Sequence, residues 1–264
     1  MAGGHKKISV LGSHYSAVPR AAVHRLLLDS ARAGGCGYVC VSNVNTTMTG
    51  YFDPAYRQIT NEAFLAVPDG VPLVWAMRSL GEPEQDRVRG PSLMKDMLDQ
   101  GRAHGIKHYL YGGTPEVLRK LQATIAETWP GAEIVGAESP PFRALEMITD
   151  AEWDAAAAKI NASGAHFVWI GLGAPKQERW CYRQRNSVSG IMFAIGAAFD
   201  LIPGVVPEAP MFLQKIGMEW AYRLAKEPRR LWRRYLFNNP AFLVLWAGQL
   251  FARALGQDYE IRPE

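Results

Sequence analysis

The 264-residue chain has few of the residues that build disulfides or metal centres. Its three cysteines, Cys36, Cys40 and Cys181, are too few for a disulfide framework, and the first two lack a second ligand pair at zinc-knuckle spacing. None of the six histidines makes an HxxxH or HExxH pair, which argues against a metal site built from protein side chains. We therefore expect reduced, structural cysteines and no metal.

Long hydrophobic runs are also missing. No stretch approaches the roughly 20 uninterrupted apolar residues of a membrane-spanning helix, and residues 1–7 lack the apolar core of a secretory signal. The chain contains no internal repeat and no low-complexity segment. The lack of a secretory signal and of a spanning helix predicts a protein that stays in the cytosol.

Apolar residues make up 48% of the chain, enough for a large core. This content suits one α/β domain with an appendage, which we favour, or two modest domains. Positive charge is concentrated late in the sequence. Residues 215–234 contain seven Lys or Arg against two Glu, so this segment holds all of the excess behind the net charge of +4.

Short apolar runs of strand character alternate with segments of helical periodicity through most of the chain. This alternation predicts an α/β, Rossmann-like fold, in which a mostly parallel sheet of about seven strands has helices on both faces. A helical, basic C-terminal appendage follows, which divides the chain into a core over 1–205 and an appendage over 206–264. The expected strands are 7–12, 37–42, 64–67, 107–111, 134–136, 166–170 and 191–195.

One carboxylate stands at the end of a candidate strand. The apolar run from Phe64 stops at Pro68-Asp69-Gly70, and apolar residues resume at Val71. Two interpretations are open: Asp69 performs chemistry at the end of the strand, or it caps the following helix by accepting backbone N–H bonds.

Other polar residues follow strands in the same way, and ligands bind at the carboxyl ends of strands in open α/β sheets. Asn43 and Asn45 belong either to a ligand-facing loop or to the start of a helix. Gly112 and Gly113 suit backbone contacts to a phosphate or ribose, but also describe an ordinary tight turn. Arg87 is a candidate for bidentate phosphate binding, although solvated loop arginines are common.

The segment Gly171-Leu-Gly-Ala-Pro-Lys-Gln-Glu178 contains a GxG pair that resembles part of a dinucleotide fingerprint. Pro175 interrupts the fingerprint, and no acidic residue closes a following strand at the expected distance. The pattern therefore argues against an NAD enzyme. It leaves Lys176, Gln177 and Glu178 at a helix start, where they could hold a nucleotide or a sugar.

Seven of these segments, taken in order, resemble the WecG/TagA/CpsF family of bacterial glycosyltransferases, glycosyltransferase family 26. The resemblance covers roughly residues 37–240. The matching segments are Asn43-Val-Asn45, Val67-Pro-Asp-Gly-Val, Arg87-Val-x-Gly90, Tyr111-Gly-Gly, Gly171-Leu-Gly-Ala-Pro-Lys-Gln-Glu178, Gly196-Ala-Ala-Phe-Asp200 and Glu219-Trp-x-Tyr-Arg223-Leu-x-x-Glu227-Pro228.

The resemblance implies an inverting, metal-independent transfer of a sugar from a UDP-sugar to a polyprenyl-diphosphate-linked saccharide at the cytoplasmic membrane face. It implies that Asp69 is the catalytic base and that Arg87 and Gln177 contact the donor phosphate or sugar. Asn43 replaces the threonine of the family's Thr-Pro-Asn loop, whereas Asn45 keeps its asparagine. The donors that the family suggests are UDP-glucose, UDP-N-acetylmannosamine and UDP-N-acetylmannosaminuronic acid.

The basic segment matches the family's spacing for Arg223, Arg230 and Arg233, which are implied to close over the donor. Intervals of seven and ten residues suit one helix face, but Pro228 predicts two short helices that meet at a bend. Large aromatic residues lie between the arginines, a composition that suits anionic lipid headgroups. We therefore expect a peripheral protein on the inner face of the cell membrane.

The apolar segment 241–255 is too short to span a membrane. Three locations are open for it: the membrane interface, a protein core, or the surface of a partner subunit in a homo-oligomer. The alternative function is a catalytically inactive, membrane-bound sensor or assembly subunit that binds a UDP-sugar. Nucleic-acid binding is disfavoured because the sequence has no nucleic-acid motif.

Overall fold

A six-stranded parallel sheet forms the centre of the molecule, and a two-stranded antiparallel hairpin lies beside it. The structure is a computed structural model that describes residues 5–257, apart from the side chain of Arg230. The strands are β1 (Lys7–Val10), β2 (Ser13–Ser16), β3 (Gly37–Ser42), β4 (Leu65–Pro68), β5 (Lys107–Gly112), β6 (Glu133–Glu138), β7 (Phe167–Gly171) and β8 (Ile191–Ala194). Their order in the main sheet is β4-β3-β8-β7-β5-β6, which brings β3 and β4 next to each other at one edge.

Helices connect the strands and continue beyond the last one. Two single 3-10 turns, Arg102–His104 and Leu145–Met147, interrupt the connections. The helices are α1 (Arg20–Arg32), α2 (Val44–Phe52), α3 (Pro54–Glu62), α4 (Val71–Ser79), α5 (Gly90–Gly101), α6 (Pro115–Thr128), α7 (Asp150–Ala162), α8 (Lys176–Gln184), α9 (Ala197–Leu201), α10 (Met211–Lys215), α11 (Glu219–Lys226) and α12 (Pro228–Ala254).

The sheet has a hydrophobic core on each face. Successive residues of a strand point to opposite faces, and β3 accordingly sends Tyr38 and Cys40 into one buried cluster and Val39 and Val41 into the other. This arrangement, with helices covering both faces, confirms the predicted α/β, Rossmann-like fold with a helical C-terminal segment.

The expectation for the first strand is wrong. Residues 7–12 do not enter the parallel sheet, because Leu11 and Gly12 adopt positive φ angles of 48° and 74° and reverse the chain. A turn of this kind joins antiparallel strands, and β1 pairs with β2 from Lys7 opposite Ser16 to Val10 opposite Ser13. The parallel sheet therefore has six strands instead of about seven.

The C-terminal helices meet at a break, as predicted. Helix α11 ends at Lys226 and α12 begins at Pro228, where a missing N–H is tolerated. The prediction of two short helices is wrong for the second one, since α12 has 27 residues and continues through Pro240. Arg223 consequently lies on a different helix from Arg230 and Arg233. The division of the chain at residue 205 stays a prediction.

Helix α12 has one face on the core and one face exposed. Phe242 is fully buried, and the Gln249 amide binds the hairpin by accepting from Leu11 N at 3.0 Å and donating to Ser9 O at 2.9 Å. Val244 and Phe251, in contrast, are 72% and 67% exposed. Within residues 5–257, no helix combines the length and the apolar character needed to cross a membrane.

Gly112, at the end of β5, is a position where the fold has no room for a side chain. Its φ is 126°, and a Cβ atom there would lie 2.4 Å from the carbonyl oxygen of Gly171. We expect Gly112→Ala to lower the free energy of unfolding by roughly 2–4 kcal/mol in urea titrations, since backbone strain and overpacking add.

Gly105→Ala is the matched control. Gly105 has a φ of 59°, but a Cβ atom there would meet nothing within 4 Å. Its replacement should cost only about 1 kcal/mol, the price of the left-handed conformation alone. Equal losses in the two variants would contradict the close approach of β5 to β7.

Candidate active site

A cleft of about 800 Å³ opens at the carboxyl ends of the parallel strands. Ligands bind at this edge of open α/β sheets because the strand-to-helix loops meet there. Residues that follow each of the six strands contribute to the lining. They include Asn43 after β3, Asp69 after β4, Gly113 after β5, Ser139 after β6, Gln177 after β7 and Gly196 after β8.

Asp69 is held at the wall of this cleft by the strands themselves. Its backbone N–H donates to Ser42 O at 2.7 Å, which ties the end of β4 to the end of β3. The helix-cap interpretation is wrong, because the N-cap of α4 is Gly70 and no side chain caps that helix. The Asp69 side chain is 26% exposed, and its Oδ1 atom has no hydrogen-bond partner among the described residues.

The surroundings of Asp69 raise the proton affinity of its carboxylate. Burial raises the pKa of the carboxyl above its ordinary value; Arg87 opposes this effect, and the negative charge of Glu219 adds to it. A carboxylate with a raised pKa is a better proton acceptor than an exposed aspartate. The position can therefore support general-base chemistry.

Arg87 lines a small pocket beside the cleft, and each of its three guanidinium nitrogens donates to a protein oxygen. Its Nε atom donates to the Asp69 carbonyl oxygen, one Nη donates to Gln214 O at 3.2 Å, and the other donates to Glu219 Oε2 at 2.8 Å. The second Nη also lies 3.5 Å from Asp69 Oδ1. This geometry favours a guanidinium that positions Asp69 over one that binds a donor phosphate.

A buried ionic network surrounds Arg87 and connects the core to the C-terminal helices. Arg89, only 7% exposed, donates to Glu219 Oε1 at 2.9 Å and to Glu208 Oε2 at 3.1 Å, and Lys95 donates to Glu208 Oε1 at 2.6 Å. Burial raises the pKa of Glu219, but the hydrogen bonds and charges of Arg89 and Arg87 outweigh it and lower the pKa overall. Glu219 therefore stays ionised between two arginines.

Sequence reasoning did not assign Arg89, Glu208 or Glu219 to the site. The available signal was the spacing of Arg87 and Arg89 around the buried Val88, which sends two basic side chains to the same side of an extended segment. Such a pair needs carboxylate partners when it is buried. The partners come from residues more than 100 positions later in the chain.

Asn43 starts α2 and also lines the cleft. Its Oδ1 accepts from the N–H groups of Asn45 at 3.0 Å and Thr46 at 3.3 Å, and the Thr46 hydroxyl completes a capping box. The helix-start interpretation is confirmed, and it is compatible with the ligand-facing one. Asn45 accepts a hydrogen bond from Asn238 Nδ2 at 3.0 Å, which attaches α12 to α2.

The loop after β5 offers fewer backbone donors than its glycines suggested. The Gly113 N–H donates to Gly171 O at 3.0 Å, and Gly112 is in close contact with Gly171. Gly113 lines the cleft, whereas Thr114 caps α6 by accepting from Val117 N at 3.2 Å. The glycines thus allow two strand ends to approach each other.

The three polar residues at the start of α8 have separate roles. Lys176 lines the cleft and donates to the carbonyl oxygen of Arg143. Gln177 Oε1 accepts from Gly173 N at 3.1 Å and Gly196 N at 2.8 Å, so it holds the loops after β7 and β8 together. Glu178 is buried beneath them, and burial raises its pKa to about 7.

The basic segment contributes two arginines to the cleft. Arg223 and Arg234 both line it, and the Arg223 guanidinium makes no protein hydrogen bond within the described part of the chain. Arg233 is exposed, lies outside the lining and packs its guanidinium on the Trp232 ring at 5.2 Å. The side chain of Arg230 lies outside the described residues. Sequence reasoning did not assign Arg234 to the site.

A smaller pocket of about 90 Å³ adjoins the cleft. It lies between the starts of α2 and α4 and the helices α11 and α12. Four residues line both cavities: Asn43, Asp69, Arg223 and Arg234. The other lining residues include Val44, Asn45, Val71, Pro72, Trp220, Tyr235 and Asn239.

Comparison with known proteins identifies the family. A model of the Glycosyl transferase WecG/TagA/CpsF family matches residues 8–255. The chain belongs to this family. It is therefore a glycosyltransferase, and the resemblance in the sequence motifs is confirmed.

A curated relative of this glycosyltransferase comes from Bacillus spizizenii. It is an N-acetylglucosaminyldiphosphoundecaprenol N-acetyl-beta-D-mannosaminyltransferase, 28% identical over 200 residues. The alignment covers 75% of the present chain and 74% of the relative. The two proteins therefore share most of their length.

The raised pKa of Glu178 predicts how stability depends on pH. Below about pH 4.5, its ordinary value, Glu178 is protonated in both the folded and unfolded states; between there and about 7, only the folded state keeps the proton. The folded state is therefore increasingly disfavoured as the pH rises through this range, by up to roughly 3 kcal/mol.

Glu178→Gln keeps the shape and removes this titration. We expect the variant to become more stable relative to the unaltered protein, with a larger free energy of unfolding, as the pH rises from about 4.5 to about 8. Urea unfolding at several pH values measures the difference. A difference that is independent of pH would contradict the raised pKa.

Proposed function

We propose that the protein is an inverting glycosyltransferase that moves a hexose or N-acetylhexosamine-type sugar from a UDP-sugar to a polyprenyl-diphosphate-linked saccharide, with Asp69 as the base. One observation carries the proposal: Asp69 combines a raised pKa, an Oδ1 atom that makes no hydrogen bond among the described residues, and a place on the wall of a cleft large enough for a nucleotide sugar.

The reaction makes one bond to the anomeric carbon and breaks another. The acceptor hydroxyl oxygen attacks that carbon while its proton passes to the Asp69 carboxylate, and the bond to the UDP oxygen breaks with its electron pair. The sugar has oxocarbenium character in the transition state. Asp69 serves as general base, and UDP leaves as an anion.

The departing diphosphate needs positive charge close to the cleft. Arg223 is the best candidate, because it lines the cleft and is not committed to a protein hydrogen bond among the described residues. Arg87 acts differently: its guanidinium holds Asp69 by contacting the carbonyl and carboxylate oxygens of that residue. Asn45 and Gln177 shape the donor site through the contacts that fix α2 and the loops after β7 and β8. We assign no metal to the reaction.

The acceptor is proposed from the relative. The Bacillus spizizenii protein is named for an N-acetylglucosamine linked to diphosphoundecaprenol, which supports a lipid-linked saccharide acceptor here. Met211, Phe212 and Ile216, on α10 and just after it, are exposed apolar residues beside the exposed Lys215, a combination that suits contact with an anionic membrane surface. We place that contact on the cytoplasmic side.

A UDP-release assay tests the proposed function. The acceptor probe is N-acetylglucosaminyl diphosphate on a short, water-soluble prenyl chain, and the donor panel consists of UDP-N-acetylmannosamine, UDP-N-acetylmannosaminuronic acid and UDP-glucose. Acceptor-dependent UDP release with one donor is expected. UDP binding without turnover of any donor would identify a non-catalytic UDP-sugar-binding protein instead.

Asp69→Asn should abolish most of the activity. Loss of a general base typically lowers turnover by about 10²–10⁴-fold, and the amide keeps the size of the side chain. UDP affinity, measured by calorimetry, should stay close to that of the unaltered protein. Asp86→Asn is the matched control, since Asp86 is the same residue type in the loop between α4 and α5, is exposed and does not line the cleft. Equal activity of both variants would disprove the role of Asp69.

Glu219→Gln should change the pH dependence of catalysis. The Glu219 charge raises the Asp69 pKa, so its removal should move the acidic limb of the kcat/KM profile to lower pH. The value of kcat/KM should also fall, because Arg87 loses a charged partner.

Glu208→Gln is the control for this shift. Glu208 binds Arg89 and Lys95 but does not contact Arg87. The Glu208→Gln variant should leave the acidic limb of the kcat/KM profile at the same pH. Parallel shifts in both variants would show that a general loss of negative charge is responsible.

A further inference from the structure

Asp69 lies at the boundary of the two cavities described above. It lines the cleft of about 800 Å³ and also the pocket of about 90 Å³. The cleft alone has the volume of a typical site for a molecule the size of a nucleotide sugar. The proposed donor therefore leaves the smaller pocket without an occupant.

The position of a base relative to a donor limits where the acceptor stands. In an inverting displacement the nucleophile attacks the anomeric carbon from the side opposite the leaving group, and the base lies beside the nucleophile. With UDP in the large cleft, the attacking hydroxyl must approach Asp69 from the other side. The smaller pocket is a second cavity that has Asp69 in its wall.

The lining of the pocket suits a sugar. The rings of Trp220 and Tyr235 lie 5.8 Å apart and form an aromatic wall, and Val71 and Pro72 add apolar surface. The Asn239 amide lines the pocket and makes no hydrogen bond to any protein group in residues 5–257. Charged side chains, among them Arg87 and Glu219, complete the lining, and a combination of apolar surface with polar groups is typical of small-molecule sites.

The size of the pocket restricts what enters. A volume of about 90 Å³ is far below the roughly 300 Å³ at which pockets begin to enclose whole drug-sized ligands. It admits the reacting edge of one sugar ring, while the remainder of a longer acceptor stays outside. A second nucleotide does not fit.

We infer that this pocket, between α2, α4, α11 and α12, binds the terminal sugar of the acceptor saccharide and presents its hydroxyl to Asp69. The inference rests on the proposed function and extends it to the second substrate. Trp220 supplies a face for the sugar ring, and Asn239 supplies hydrogen bonds to its hydroxyl or amide groups.

Neighbouring asparagines on α12 provide a matched test. Asn239→Leu replaces the pocket amide by an apolar side chain with the same number of heavy atoms, whereas Asn238→Leu removes the hydrogen bond to Asn45 that attaches α12 to the core. Trp220→Leu is a second pocket variant. The KM values for donor and for acceptor are measured separately, with the soluble N-acetylglucosaminyl diphosphate acceptor and the active UDP-sugar.

Asn239→Leu and Trp220→Leu should each raise the acceptor KM about tenfold, with the donor KM within about twofold of the unaltered protein. Asn238→Leu should affect both KM values, because it loosens the helix that borders both cavities. Equal increases of both KM values in Asn239→Leu, or an unchanged acceptor KM in both pocket variants, would overturn the assignment. Failure of the unaltered protein to turn over any donor would instead refute the proposed function.

Discussion

The ion pairs around Glu219 are the constraint on which the site depends. Glu219 is held by Arg87 and Arg89, and Arg87 in turn contacts both the carbonyl and the carboxylate oxygens of Asp69. Charges removed from water are tolerated when each has partners with good geometry, and removal of one partner leaves an uncompensated charge. The network therefore couples the position of the C-terminal helices to the conformation and basicity of Asp69.

This coupling explains why the helices after residue 210 form part of the site. Helix α11 supplies Glu219 and Arg223, and α12 supplies Arg234 to the same cleft. Helix α12 is fixed at two distant points, by Asn238 to Asn45 and by Gln249 to the hairpin. The parallel sheet provides the loops, and the C-terminal helices provide the remaining wall and much of the positive charge.

Several polar residues contribute by holding loops in place. Gln177 joins the loops after β7 and β8, Asn43 caps α2, and Arg87 fixes Asp69. Motif matching identified all three, but not what they contact. A motif reports that a residue type is needed at a position, whereas its partners are set by chain segments far away in sequence.

The fold class and the approximate positions of the six parallel strands were predictable, because periodicity and turn residues act within about 10–15 neighbouring residues. Gly37–Ser42 was predicted with the bounds that the structure has. The sequence did not predict the hairpin of β1 and β2, since the positive φ at Leu11 is unusual for a residue other than glycine.

By itself, the sequence determined that Asp69 ends a buried strand and that arginines cluster near the C-terminus. Only the tertiary structure decided which arginines reach the cleft. Arg223 and Arg234 line it, while Arg233 packs on Trp232. Glu227 is not helical, so Arg223 and the later arginines lie on different helices and their spacing no longer predicts a shared face. On α12 itself, Arg233 and Arg234 are adjacent residues and point in different directions. The ion pairs of Glu219 likewise join residues about 130 positions apart, beyond the reach of any local pattern.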